Sequence, residues 1–216
     1  MSQDAIELYF WPTPNGQKIS IMLEEAAVPY RVHYVNIHAQ EQFDPDFLKI
    51  SPNNKMPTIV DPDGNRLAIF ESGAILQYLA RKTETLYPSN ERRRADVDQW
   101  LFWSSSGLGP MSGQCSHFRQ FAPEKVPYGI ERYTREVARL YGVMERQLSS
   151  HHFLAGEYSI ADIACFPWIL KASELGQNLA DFPKLKAWKE RIEKRPAVVA
   201  GMAVGAQQAA KAEAKV

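Results

Sequence analysis

The strongest constraint on the fold is a change of pattern at Leu86-Tyr87-Pro88-Ser89-Asn90, a proline-containing polar break inside a chain of 216 residues. Before it, strand-like and helix-like segments alternate; after it, only helical spacing recurs. One sheet with covering helices, followed by an all-helical half, is the architecture this order allows.

Ile6–Phe10 is a run of strand formers that ends in the breaker-rich Trp11-Pro12-Thr13-Pro14-Asn15-Gly16. From Gln17 the spacing turns helical, with Ile19, Leu23 and Ala26/Ala27 on one face, and it stops before Pro29. Tyr30–Asn36 reads as a second strand, followed by a polar loop (His38–Phe43) and a short helical piece, Pro45–Ile50. Met56–Asp61 and Arg66–Phe70 read as strands joined by a hairpin turn at Pro62-Asp63-Gly64-Asn65. Glu71-Ser72 then opens a helix carrying Ile75, Leu76 and Leu79.

Beyond the break, Val97, Trp100 and Leu101 begin one helix, and Tyr133, Val137, Leu140/Tyr141, Met144 and Leu148 stripe another. Ser159-Ile160-Ala161-Asp162 has the spacing of a capping box, with Tyr158 and Ile163 at the staple positions. Leu185, Trp188 and Ile192 mark the last amphipathic helix, which ends at Arg195-Pro196. The expected division is residues 1–86, an α/β domain; 91–200, an all-helical domain; and 201–216, an alanine-rich tail.

Composition removes several functions. Lys+Arg and Asp+Glu both count 25, so no net charge steers the chain to nucleic acid or an anionic membrane. No apolar run approaches the ~20 residues of a membrane helix. The opening Met1-Ser2-Gln3-Asp4 lacks the basic and apolar regions of a secretory signal. Cys115 and Cys165 form no C-x-x-C pair, so the expectation is a cytoplasmic protein without disulfides.

Three loops carry residue types suited to ligand binding, each with a structural alternative. At Glu71-Ser72 a hydroxyl, a carboxylate and the free N–H groups of a helix start suit a group bearing both an ammonium and a carboxylate. A structural alternative has Ser72 as N-cap and Glu71 as a dipole-compensating acid. Pro57, opening a strand in Asn54-Lys55-Met56-Pro57-Thr58, is a candidate cis-proline that would turn the Met56 backbone towards an extended peptide. An edge-strand proline without a ligand is the alternative. Thr13 and Asn15 lie between the first strand and the first helix, where open α/β sheets hold ligands. A hydroxyl and an amide there can stabilise a thiolate, or they can simply cap the helix. Tyr9 lies within the strand and reads as core. Arg132, in Ile130-Glu131-Arg132-Tyr133, opens the striped helix, where a cation opposes the dipole and suggests a partner elsewhere; a solvated surface arginine is the alternative. Gln114 and His117 are lone polar residues near a helix end. His151-His152 lacks companions at metal-ligand spacing, and no metal site is expected.

Taken together, the M-P-T strand, the D-G turn, F-E-S-G-A-I-L-Q-Y-L at Phe70–Leu79 and the S-I-A-D-I-A helix start resemble a cytosolic glutathione transferase, from Ile6 to Pro196. Tyr9-Phe10 with Pro12–Gly16, Ile50–Lys55, Gln99–Trp103, Gly107–Met111 and Pro127–Tyr133 are similar to the bacterial nu class of glutathione-dependent disulfide-bond reductases. The resemblance implies a thioredoxin-like N-terminal domain, a helical-bundle C-terminal domain, a homodimer, and reduced or oxidised glutathione as co-substrate. It implies that Glu71 and Ser72 take the γ-glutamyl end and that Met56, before cis-Pro57, pairs with the cysteinyl unit. It places Gln42 at the glycyl end, Thr13 and Asn15 at the sulfur, and Arg132 reaching from the neighbouring subunit. Thr13-Pro14-Asn15 stands where other classes carry an activating tyrosine or serine. Reduction of small disulfides with weak conjugating or peroxidase activity is therefore the expected function. Conventional conjugation to electrophiles and a glutathione-binding regulator with little turnover are the alternatives.

Overall fold

A computed structural model describes residues 5–206, which fall into two compact units. The first holds the residues up to Thr85 and those from Arg195 on; the second holds Leu86–Lys194.

The sheet of the first unit has the order β2-β1-β3-β4, built from β1 (Ile6–Phe10), β2 (Tyr30–Tyr34), β3 (Thr58–Asp61) and β4 (Leu67–Phe70). β1 and β2 run parallel, Leu8 facing Val32, and are joined through helix α1 (Pro14–Glu25). Strand β3 runs antiparallel to β1 and to β4, as the thioredoxin-like reading requires. Ile6, Leu8 and Phe10 alternate into the core, where Ile19, Met22 and Leu23 of α1 meet Ile75, Leu76 and Leu79 of α4 (Ser72–Thr83). The short α2 (Pro45–Ile50) lies after β2, with Phe47 buried. The expected hairpin turn is a single helical turn, α3 (Asp63–Arg66), in which Asn65 and Arg66 have left-handed φ of 67° and 62°.

The second unit begins with α5 (Glu91–Trp103), which runs through a π-helical stretch at 104–108 into α6 (Gly109–Ser116) and a second such stretch at 117–121. Then come α7 (Pro127–Leu148), α8 (Ile160–Ile169) and α9 (Pro183–Ile192). Val137, Leu140, Tyr141, Met144 and Leu148 of α7 are all buried, as the stripe predicts. The Ser159/Asp162 capping box is formed at the start of α8.

Helical structure continues past Arg195-Pro196. A further helix, α10 (Pro196–Ala203), belongs with the first unit, where Arg195 forks onto Glu25 (2.7 and 2.9 Å) and Ser20 donates to the Gly201 carbonyl (2.7 Å). The expected alanine-rich tail, 201–216, lies outside the described residues from 207 on.

Candidate functional site

The turn after β1 and the start of α4 hold most of the expected residues within the first unit. Thr13 is the N-cap of α1, its Oγ1 accepting from the Gly16 N–H at 3.4 Å. That acceptor role leaves the hydroxyl proton available for a second partner, so capping and thiolate donation are compatible. Asn15 sits one turn-position further along, half-buried. Tyr9 points to the other side of the strand from buried Leu8 and Phe10, its ring stacked on His33 with centroids 4.8 Å apart.

At α4 Ser72 is not the N-cap, whereas Glu71 stands at the N-cap position, where an acid compensates the helix dipole without a cap hydrogen bond. Ser72 is already the first helical residue, and neither it nor Glu71 makes a side-chain cap hydrogen bond. Glu71 is exposed and has φ 70°, ψ 116°, a conformation that costs a non-glycine residue about 1–3 kcal/mol. Strain of this kind persists where the surroundings impose it, commonly beside a ligand. Ser72 is 9% exposed, and its Oγ accepts from Nζ of Lys18 at 3.4 Å. Lys18, on α1, is only 2% exposed. Its amine lies against the start of α4, whose N-terminal partial positive charge favours an anion there. Sequence reasoning missed Lys18. Its burial against Ser72, 54 residues further along the chain, follows from tertiary packing that the spacing within α1 does not show.

The Met56–Pro57 peptide is cis, and among the described residues no hydrogen bond reaches the Met56 backbone N–H or carbonyl. Gln42 lies in a tight helical turn at Glu41–Phe43, and its Oε1 is buried with no partner among the described residues. A buried amide oxygen left unpaired costs about 1–3 kcal/mol, so a donor from outside the chain would be welcome.

The second unit holds the remaining candidates. Arg132 does not open α7, which starts five residues earlier at Pro127, so the dipole argument for a partner loses its force. Its exposed guanidinium lies 5.9 Å from the centroid of the Tyr133 ring, which in turn stacks on Phe118. Gln114 and His117 are exposed. Cys115 and Cys165 are fully buried. Burial pushes the Cys115 thiol up, against weaker opposing effects from Thr134 and Arg119. A cavity of about 900 Å³ in this unit, lined by Trp100, Trp103, Arg93, Asp96, His151 and Glu157 among others, contains none of the residues expected to hold glutathione. Among the described residues no group of three or more His, Cys, Asp or Glu could hold a metal, and no helix is long and apolar enough to cross a membrane.

Family models for the glutathione S-transferase N-terminal and C-terminal domains match residues 13–82 and 127–196. The chain belongs to the glutathione S-transferase family. This transferase is 52% identical over 197 residues to the disulfide-bond oxidoreductase YfcG of Escherichia coli K12, an alignment spanning 89% of this chain and 92% of the relative. Among solved structures it is similar to a glutathione transferase family member from Pseudomonas fluorescens with two glutathione bound. That pair has a TM-score of 0.88 and 42% identity over 94% of each chain. It is also similar to a glutathione transferase from Pseudomonas putida with one glutathione disulfide bound per subunit. There the TM-score is 0.87 and the identity 40%, over 93% of this chain and 91% of that one.

Proposed function

We propose that this transferase is an enzyme that uses glutathione to reduce small disulfides, with weak conjugating or peroxidase activity beside it. The observation that carries the proposal is the start of α4, where strained Glu71, buried Ser72 and the Lys18 ammonium converge. A γ-glutamyl group brings an α-ammonium for Glu71 and an α-carboxylate for Ser72 and Lys18. Met56, next to Pro57, offers its backbone to the cysteinyl unit, and Gln42 its unpaired amide oxygen to the N–H of the glycyl unit. The sulfur then falls to Thr13 and Asn15 at the positive end of α1. The relatives with glutathione or its disulfide bound, and the one named a disulfide-bond oxidoreductase, support this assignment.

The chain's own thiols are buried in the helical unit, so the exchange runs on bound ones. A glutathione thiolate attacks the substrate disulfide, forming a mixed disulfide and expelling one substrate thiolate. A second glutathione thiolate attacks the glutathionyl sulfur, giving glutathione disulfide and the second substrate thiolate. The protons lost from the two glutathione thiols end on the two product thiols. We further propose a cytoplasmic homodimer in which Arg132 reaches the ligand of the neighbouring subunit, as the family resemblance implies. The first unit, which takes in the segment from Arg195 on as well as the expected residues 1–86, is proposed as the glutathione-binding domain, and the helical unit, expected over 91–200 but ending at Lys194, as its companion.

The test combines melting with reduced or oxidised glutathione and turnover of hydroxyethyl disulfide. Binding to the folded state alone raises the melting midpoint, and Ser72→Ala should abolish most of that rise. Thr13→Ala and Asn15→Ala should keep the rise and lose about tenfold or more in disulfide reduction. No rise with either form overturns the proposal. A rise with no turnover would make the protein a glutathione-binding regulator, and turnover confined to aryl halides or epoxides a conventional conjugating enzyme.

A further inference from the structure

The residues after Arg195 run back along the whole of α1. Arg195 forks onto Glu25 at the C-terminal end of that helix. Halfway along, Ser20 donates to the Gly201 carbonyl, and a Cβ on Gly201 would come within 2.6 Å of the Ile21 backbone, so the two helices touch main chain to main chain. At the N-terminal end of α1, a Cβ on Gly205 would lie 2.7 Å from Cε1 of Phe10 and 3.4 Å from Cβ of Pro12. The opposite edge of the Phe10 ring faces Gly16, whose Cβ would lie 3.1 Å from it and 2.3 Å from the Trp11 carbonyl. That carbonyl accepts from the Thr13 N–H at 2.7 Å. Phe10 is therefore clasped between the first turn of α1 and Gly205, and the turn bearing Thr13 is built on Phe10.

We infer that Arg195–Gly205 is a strap that positions the Thr13–Asn15 turn, with Gly205 as its positioning residue. The inference rests on the proposed role of Thr13 and Asn15 at the glutathione sulfur. The Thr13 hydroxyl and the α1 N-terminus stabilise a thiolate only at hydrogen-bond distance, and displacement by about 1 Å can cost two orders of magnitude in rate. Gly205 has φ +78°, so alanine there meets both backbone strain and the Phe10 ring. Gly156, in the helical unit, has φ +87° with nothing within 4 Å of its would-be Cβ. Alanine at 156 thus carries the same strain without the collision.

Two quantities test the strap in the full-length protein: ionisation of the bound glutathione thiol, read by thiolate absorbance against pH, and affinity for S-methylglutathione, which has no thiol to ionise. Gly205→Ala should move the titration to higher pH and slow disulfide reduction at neutral pH about tenfold. Its affinity for S-methylglutathione should stay within about twofold. Gly156→Ala should leave titration and affinity at wild-type values. Arg195→Gln, which frees only the far anchor, should move the titration in the same direction by less, and it carries the test if Gly205→Ala does not fold. A wild-type titration in Gly205→Ala and Arg195→Gln overturns the strap. So does a parallel loss of titration shift and S-methylglutathione affinity, because the strap would then support the fold at large. Failure of the underlying function is recognised separately, as a wild-type protein that binds no glutathione or does not ionise it.

Discussion

Among the described residues each unit buries one aspartate completely, and the two are kept by opposite means. Asp61, at the end of β3, is fully buried but meets the Lys82 ammonium, the Tyr78 hydroxyl at 2.6 Å and the Asp63 N–H at 2.9 Å. Burial raises its pKa, yet the hydrogen bonds from Lys82 and Tyr78 outweigh burial and hold it below the usual carboxylate range. Asp162, third residue of α8, has no cation. Its oxygens accept from the Leu154 N–H (3.0 Å), the Trp188 indole (2.8 Å), the Ser159 N–H (3.1 Å) and the Ser159 hydroxyl. Burial outweighs these four neutral donors, and its pKa is pushed up to about 6. Dipoles satisfy a buried carboxylate but compensate its charge less than a full ammonium does.

The comparison is sharpest when each carboxylate is removed. Asp162→Ala leaves two backbone N–H groups and an indole N–H buried without acceptors and dismantles the α8 cap, a loss of about 4 kcal/mol. Asp61→Ala leaves Lys82 with Asp63 at 2.7 Å and partial access to water, so its loss should be about half as large. Denaturant unfolding of the two variants measures both. Equal losses would mean that water reaches the Asp162 donors once the side chain is gone.

The pH dependence has opposite sign at the two sites. Asp162 has a folded pKa near 6 against about 4 unfolded, so its folded state holds the proton more tightly. Its contribution is most favourable below pH ~4 and is lost as pH rises to ~6, roughly 3 kcal/mol in all. The wild-type stability, less that of Asp162→Asn, should fall across that window and flatten above it. Asp61, with its folded pKa depressed, contributes in full above the unfolded value of about 4 and loses that contribution as pH falls from there through the lower folded pKa. Lys82→Met should convert the second case into the first. Without the ammonium, burial dominates at Asp61 too, stability at neutral pH drops by about 3 kcal/mol, and the slope between pH 4 and 6 turns downward. An unchanged slope in Lys82→Met would show that Tyr78 and the Asp63 N–H suffice without a cation.

These two sites also mark what the sequence could disclose. Asp162 was legible, because Ser159 stands three residues before it and a capping box is a local pattern. The same holds for the stripe of α7, the β1–α1 turn and the family motifs around Met56-Pro57 and Glu71-Ser72. The pairing of Asp61 with Lys82 spans 21 residues, Lys18 with Ser72 spans 54, and Ser20 with Gly201 spans 181. Nothing in spacing or composition foretells such contacts, since they follow from tertiary packing. For this reason the lysine beneath the α4 start and the packing of the segment after Pro196 onto α1 are not legible in the sequence. Arg132 shows the reverse error, a local argument resting on a helix start that the structure puts at Pro127.

The smallest effect concerns the neutral donor that the two sites have in common in kind. Tyr78 plays towards Asp61 the part that the Trp188 indole plays towards Asp162, one N–H or O–H given to a buried carboxylate. Its own pKa is pushed up to about 12, by burial first and then by the bond to Asp61, as expected of a hydroxyl committed to an anion. In Tyr78→Phe the Lys82 ammonium remains, so the carboxylate stays ionised and the loss should be about 1 kcal/mol. In Trp188→Phe no cation stands behind the lost donor, and the Asp162 pKa should climb further, widening the pH window found for the wild type. Equal pH profiles for the two variants would show that the ammonium is not what separates the two aspartates. A Tyr78→Phe profile with no slope between pH 4 and 6, beside a steeper one for Trp188→Phe, would assign the difference to Lys82.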